Sequence, residues 1–222
     1  MKRPPADNLP WPDLPGTRFP IVSMDPPWHF ESRAPVTNAD SDRSPQKHYP
    51  TADLAHLETL PLRDIAAPDA HVLLWITGPL IAQGVHTRLF NAWGVEPASL
   101  AFVWIKLWNN FDIDQLRRTP LLEHDLALGL GFTTRQNAEF VMLGRIGSPR
   151  RARADIRQII ISNRREHSRK PEEYYRRVEH YAVGDRIDMF AGADRKCWTR
   201  WGYGHRDGEG DRFDPDAMGE AL

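Results

Sequence analysis

Residues 20–28 read Pro-Ile-Val-Ser-Met-Asp-Pro-Pro-Trp, an apolar run that rises into an acid, two prolines and an indole. Ile21 and Val22 have the branched side chains of a buried strand. A strand cannot continue through two prolines, which lack the N–H that the ladder needs. Asp25 is therefore expected where a strand ends, and in an open α/β sheet that edge is where ligands bind. Proline fixes φ, so Pro26 and Pro27 set the angle at which Asp25 and Trp28 face one pocket. A hydrogen-bond acceptor beside a large flat ring suits a flat heterocycle that carries an amino group. The plainer alternative is a strand-ending turn with a buried aromatic.

The remaining pattern favours the α/β context. Residues 70–77 are almost continuously apolar, as a strand covered on both faces should be. Gly78-Pro79 breaks that run, residues 80–93 carry a helical pattern closed by Gly94, and 100–105 form the next strand, ending at Lys106. Thr51 is expected to cap a short helix over about 52–59, and a short helix is expected near 119–126 within a long loop region, 107–136. Residues 138–143 and 156–161 read as strands, 171–180 as a helix with proline near its first turn, and 186–190 as a last strand. The expected organisation is an extended, proline-rich arm over 1–19, a single domain over 20–204 and an acidic tail over 205–222.

Composition excludes several classes. At 222 residues, 41% hydrophobic and 27% charged, the chain can build one full core. Its one cysteine, Cys197, excludes an intramolecular disulfide and a Cys-x-x-Cys zinc site, and no metal is expected. No apolar stretch approaches the ~20 residues of a membrane span, and Met1-Lys-Arg-Pro-Pro lacks a signal peptide's apolar core. A reducing, cytoplasmic setting is expected. Net charge is −1, yet residues 145–177 hold eleven Lys and Arg against four acids. Such a window is either a solvated face or a belt that contacts phosphates.

The chemistry that fits Asp25 and Pro26 is methyl transfer to an exocyclic amino group. The lone pair of such an amine is delocalised into its ring, so the amine is a poor nucleophile. Two acceptors on its hydrogens, the Asp25 carboxylate and the Pro26 carbonyl, favour the tetrahedral form and stabilise the charge that develops as the methyl arrives. Trp28 can stack on the base, which recovers ~1–3 kcal/mol of lost base stacking. A second constellation, His167-Ser168-Arg169-Lys170-Pro171, precedes a helix. It is either a plain Ser168 cap or an anion site, since a lysine opposes the positive end of a helix unless an anion such as a carboxylate joins it. A third is Asp188, on a strand leading to Phe190-Ala-Gly-Ala, where an acid could hold ribose hydroxyls. Phosphate-loop, zincin and nucleophile-elbow motifs are absent from the sequence.

Taken together, Asp25-Pro-Pro-Trp28, His48-Tyr-Pro-Thr51, Leu74-Trp-Ile-Thr-Gly78, Trp93-Gly94, Val103-Trp-Ile-Lys106, Ser168-Arg-Lys-Pro171 and Ile187-Asp-Met-Phe190 resemble the adenine 6-amino methyltransferases that carry an Asp-Pro-Pro-Trp motif. That family is named for the 70 kDa S-adenosylmethionine-binding subunit of the messenger-RNA adenosine methyltransferase, and has small bacterial and phage members. The likeness runs from about Phe19 to Trp201. It implies a Rossmann-like class I methyltransferase fold, a mostly parallel sheet with helices on both faces, with the catalytic motif ahead of the cofactor-tail motifs.

By the same resemblance, Asp25, Pro26, Pro27 and Trp28 are the catalytic group. His48 and Tyr49 lie in a gating loop beside the base, and Lys106 and Asn137 border the substrate. S-adenosylmethionine would be held by Lys170 at its carboxylate, by Asp188 at its ribose, by Asp7 and Asn8 at its adenine, and by Ser168 and Asp25. The family often has arginine or histidine and asparagine after the last strand, where this chain has Gly192, Asp194 and Arg195. Arg195 is the residue placed toward the cofactor there. The resulting expectation is an adenine N6-methyltransferase acting on nucleic acid, DNA before RNA, with phosphate contacts from the 145–177 belt. The alternatives are an RNA methyltransferase or a catalytically silent subunit. No segment is large enough for a separate recognition domain, so specificity falls to the loops 31–50 and 107–136, to a second protomer in a homodimer, or to a partner subunit.

Overall fold

The computed structural model describes residues 11–28, 52–129, 134–165, 169–191 and 194–202. Asp7, Asn8, His48, Tyr49, Thr51 and Ser168 lie outside the described residues, as do the 31–50 loop and the acidic tail. Among the described residues, seven strands form one sheet: β1 (Phe19–Met24), β2 (Ala66–Ile76), β3 (Glu96–Leu107), β4 (Ala138–Ile146), β5 (Ile159–Asn163), β6 (Arg186–Met189) and β7 (Thr199–Trp201). Their order is β5-β3-β4-β2-β1-β6-β7. Only β4 runs against its neighbours β2 and β3, and all other pairings are parallel. This is the mostly parallel, Rossmann-like arrangement that the sequence implied.

The helices are α1 (Leu54–Glu58), α2 (Leu62–Ile65), α3 (Gly78–Ala82), α4 (Val85–Ala92) and α5 (Glu172–Tyr181). Strand alternation sends Val22, Met24, Val72, Leu74 and Ile76 into a core shared with Leu57, Leu62, Leu89, Phe90 and Trp93 of the α1–α4 layer. Ile21, Leu73, Trp75, Phe102, Trp104, Val141 and Ile160 join Tyr174, Tyr175 and Val178 of α5 on the other face. Burial on both faces explains why the strands read as continuous apolar runs. The end of the arm is docked as well. Trp11 stacks on His56 at 4.2 Å between ring centroids, and the Asp13 carbonyl accepts from the Trp201 indole at 2.8 Å.

Several boundaries differ from expectation for local reasons. The helix expected over 80–93 is two helices, because Gly84 adopts φ +71° between them. The helix after the long polar loop begins at Leu54, capped by the Asp53 carboxylate accepting from the His56 N–H at 2.7 Å. The described residues of 107–136 hold two short 3₁₀ turns, at Ile113–Arg117 and Glu123–Asp125, instead of a helix near 119–126. β2 and β3 are parallel but not adjacent, since β4 inserts between them.

Candidate active site

Period-2 alternation carries Ile21, Ser23 and then Asp25 onto the α5 face of the sheet, at the carboxyl edge of the central strand β1. The Asp25 N–H donates to the Met189 carbonyl of β6 at 3.2 Å, so the first residue past the strand is still held by its neighbour. Pro26 and Pro27 then turn the chain away. Their carbonyls accept from the N–H groups of Trp28 and Ala52, each at 2.8 Å, and Trp28 forms a parallel bridge with Ala52. The Trp28 ring is 8% exposed and belongs to the core on the α1–α4 side. In that position it anchors the turn that follows Asp25.

The same parity places Glu139 of β4 and Lys106 of β3 on the α5 face, each at the carboxyl edge of the parallel strands. Lys170 enters from the residues just before α5. Its ammonium lies 2.9 Å from Asp25 Oδ2 and 3.0 Å from Glu139 Oε2, and Lys106 pairs with the other Glu139 oxygen. The indole of Trp75, on β2 between them, sits 4.9 Å from the Lys170 ammonium. Asp25, Lys170, Glu139 and Lys106 thus form one alternating ionic row across the mouth of the sheet.

Burial raises the Asp25 carboxyl above the usual carboxylate range, and the Lys170 ammonium draws it back down. For Glu139, burial acts in the same upward sense, but Lys170 and then Lys106 outweigh it and hold the group at about 2. Lys170 is raised despite its burial, chiefly by Asp25 and Glu139. Glu139 was not singled out from the sequence. The available signal was a lone acid inside the otherwise apolar run Ala138-Glu-Phe-Val-Met-Leu143, on a strand with one buried face.

Asp188 is 7% exposed and lies beside Ser23 across the β1–β6 ladder. Its two oxygens accept from the Ser23 hydroxyl and the Tyr175 phenol, each at 2.8 Å, and Tyr174 donates in turn to Ser23 at 2.9 Å. A carboxylate has further lone pairs, so a ribose hydroxyl would be an additional donor to an acid already tied to α5. Burial pushes the Asp188 carboxyl up to about 6, against the pull of its two hydrogen bonds. The fold therefore favours neutral Asp188. Its contribution to stability is present at acid pH and is lost as pH rises through about 6. Relative to Asp188→Asn, the wild type should lose on the order of 3 kcal/mol between pH 4 and pH 8. Urea titrations of both proteins across that range check this, and parallel stability curves would refute it.

Arg195 pairs with Glu172 at 2.6 Å, and its guanidinium lies 3.6 Å from the Tyr175 ring centroid. Arg165 pairs with the same carboxylate at 2.7 Å, and the two arginines hold Glu172 at about 2. The Asn137 carbonyl accepts from the Lys106 N–H at 2.9 Å, which puts Asn137 beside the carboxyl end of β3. Among the described residues, no group of three or more His, Cys, Asp or Glu is placed to hold a metal ion. Nor is any helix among them long and apolar enough to cross a membrane.

The basic window does not form one belt. β4 ends and β5 begins at the amino edge of the parallel strands, so Arg145, Arg150, Arg151, Arg153 and Arg157 lie at the edge opposite Asp25. Arg164, Arg165 and Arg169 follow β5 at the Asp25 edge. Arg145 and Arg153 pair with Glu96 and Asp155, and Arg176 and Arg177 with Glu173.

The chain is similar in sequence to known proteins. The Type II methyltransferase M.MunI of a Mycoplasma species is 29% identical over 214 residues, which cover 89% of this chain and 82% of that protein. The human N(6)-adenosine-methyltransferase catalytic subunit METTL3 is 25% identical over 175 residues, and a Medicago truncatula MT-A70-like protein 27% identical over 176. Each of those two alignments covers 78% of this chain, which spans about a quarter of the longer relative. The MT-A70 family profile matches residues 19–204, a span that runs from the first residue of β1 to beyond the end of β7. The chain is a member of the MT-A70 family, whose methyltransferases take their methyl group from S-adenosylmethionine.

Proposed function

We propose that this protein transfers a methyl group from S-adenosylmethionine to the exocyclic 6-amino group of adenine in nucleic acid, and that the polymer is DNA. The observation that carries the reading is the Asp25 carboxylate, fixed at the carboxyl edge of β1 with the Lys170 ammonium 2.9 Å from Oδ2. A carboxylate has lone pairs to spare for an incoming amine, beside the second lone pair of the Pro26 carbonyl. These two acceptors localise the amine lone pair and stabilise the positive charge that grows on nitrogen during transfer. The surplus proton can leave after transfer, so no strong base is required. The cofactor supplies an electrophilic methyl group on a sulfonium.

The donor set suits that cofactor. Lys170 provides a buried ammonium for its carboxylate, with Glu139 keeping the ammonium in place, and Asp188 and Arg195 border the α5 side where its ribose would lie. The DNA preference is supported by likeness to a Type II methyltransferase over most of both chains, and by the compact architecture that the small bacterial members share.

Incubation with methyl-labelled cofactor and duplex DNA, single-stranded DNA or RNA, followed by digestion to nucleosides and mass spectrometry, tests the reading. N6-methyl-2′-deoxyadenosine is the expected product. N6-methyladenosine would move the substrate to RNA, and a different methylated base would overturn the assignment. Cofactor binding without incorporation into any polymer would mark a silent, partner-activating subunit.

A further inference from the structure

We infer that the polynucleotide backbone beside the target base is held by Arg164 and Arg165, at the carboxyl end of β5, and not by the basic residues of the opposite sheet edge. The inference rests on the proposed nucleic-acid substrate and adds the surface that meets it. β5 is parallel to β3, with Leu107 opposite Asn163, so the residues that follow Asn163 emerge at the edge that carries Asp25. Four strand spacings separate β5 from β1, about 19 Å across the mouth of the sheet. A strand whose base enters at Asp25 can run along this edge. Arg150 and Arg151 lie at the opposite edge, the length of β1 away from that path.

The local structure prepares Arg164 for this task. Its N–H donates to the Leu107 carbonyl at 2.8 Å, which fixes the backbone, and its exposed guanidinium lies 5.5 Å from the Trp108 ring centroid. Trp108 is itself held, its indole N–H donating to the His124 carbonyl at 3.1 Å. Asn163, the preceding residue, donates to the Phe111 carbonyl at 2.7 Å and so ties the 107–129 loop to the end of β5. A guanidinium set against an indole on an ordered loop is less mobile than a free surface arginine, and it loses less side-chain entropy on meeting a phosphate. No ion pair engages Arg164 among the described residues. Arg165 shares Glu172 with Arg169 and Arg195, so that carboxylate faces three guanidiniums and leaves the cluster cationic.

The test is equilibrium binding of a fluorescein-labelled, adenine-containing DNA of ~20 nucleotides, as duplex and as single strand, to the full chain without methyl donor. Backbone contacts are sequence-independent and each contributes about 0.7–0.9 to the slope of log affinity against log salt, so no recognition sequence need be known. Arg164→Gln with Arg165→Gln should weaken binding about tenfold or more and lower the slope by about 1–2. Arg150→Gln with Arg151→Gln should change neither affinity nor methyl transfer. Arg164→Gln alone alters an exposed side chain and should lower the slope by about 1, which keeps the test available if the double variant folds poorly.

A slope that falls with the Arg150 and Arg151 variants, or stays unchanged in Arg164→Gln, overturns the surface assignment while the wild type still binds and methylates. A wild type that binds no polymer at any salt removes the substrate reading instead.

Discussion

Asp25→Ala is expected to reduce methyl transfer by at least about 10³-fold while cofactor binding largely survives. The carboxylate is one of two acceptors aimed at the amine, and the only charged one, so its loss removes the group that stabilises positive charge on nitrogen. Lys170 keeps Glu139 as a partner at 3.0 Å when Asp25 is gone, so the ammonium is not stranded and the fold should hold. Asp25→Asn should be nearly as inactive, because an amide carries no charge and half of its hydrogen-bonding surface donates. Single-turnover methylation with saturating labelled cofactor, alongside a direct titration of the cofactor, separates chemistry from binding. Transfer within tenfold of wild type in either variant would show that Asp25 is not the amine acceptor.

The second large effect falls on Glu139. Its carboxylate is the shared counter-ion of two lysines, and removing it leaves two buried or half-buried ammonium groups with Asp25 as the one remaining acid of the row. Glu139→Ala should destabilise the protein by about 3 kcal/mol, the scale on which a broken buried ion pair exceeds the value of the intact one. Glu139→Gln, which retains the shape and an acceptor, should cost less. Adding Lys106→Met to Glu139→Gln should recover part of the loss, since one unpaired charge is then removed along with its missing partner. Urea unfolding of the single and double variants reads all three. A loss below about 0.5 kcal/mol in Glu139→Ala would mean that water already compensates both lysines. Because Glu139 is held at about 2, its stabilisation is present above the ordinary carboxylate range and fades only as pH falls toward 2.

Much of the frame is legible in the residues. The double proline stops β1 where its pattern breaks, and the apolar runs of β2 and β3 announce strands covered on both faces. Gly84 shows why helix pattern alone overreaches. The apolar spacing continues across it, but its left-handed backbone splits the segment into α3 and α4. The short β7 carries too few residues for any period to show, and it exists because β6 offers it an edge to pair with.

The site itself divides in the same way. Period-2 alternation within a single strand, which needs no tertiary knowledge, puts Ser23 and Asp25 on one face. Lys170 was legible as a cation wanting an anion, but the anions that meet it in the structure are Asp25 and Glu139. Asp188 is legible as an acceptor for ribose hydroxyls, and only the structure adds that Tyr175 of α5 and Ser23 of β1 donate to it.

By itself, then, the sequence determined where Asp25 stands, because proline lacks an amide hydrogen and an apolar run has a parity, and both are properties of adjacent residues. Tertiary structure alone decided which charges share that acid's mouth and which arginines lie at its edge. Those outcomes depend on β4 running backwards between β2 and β3. That reversal brings Glu139 to Lys170 and Lys106, and it divides a contiguous run of arginines between opposite ends of the sheet. No local preference encodes the direction of a strand.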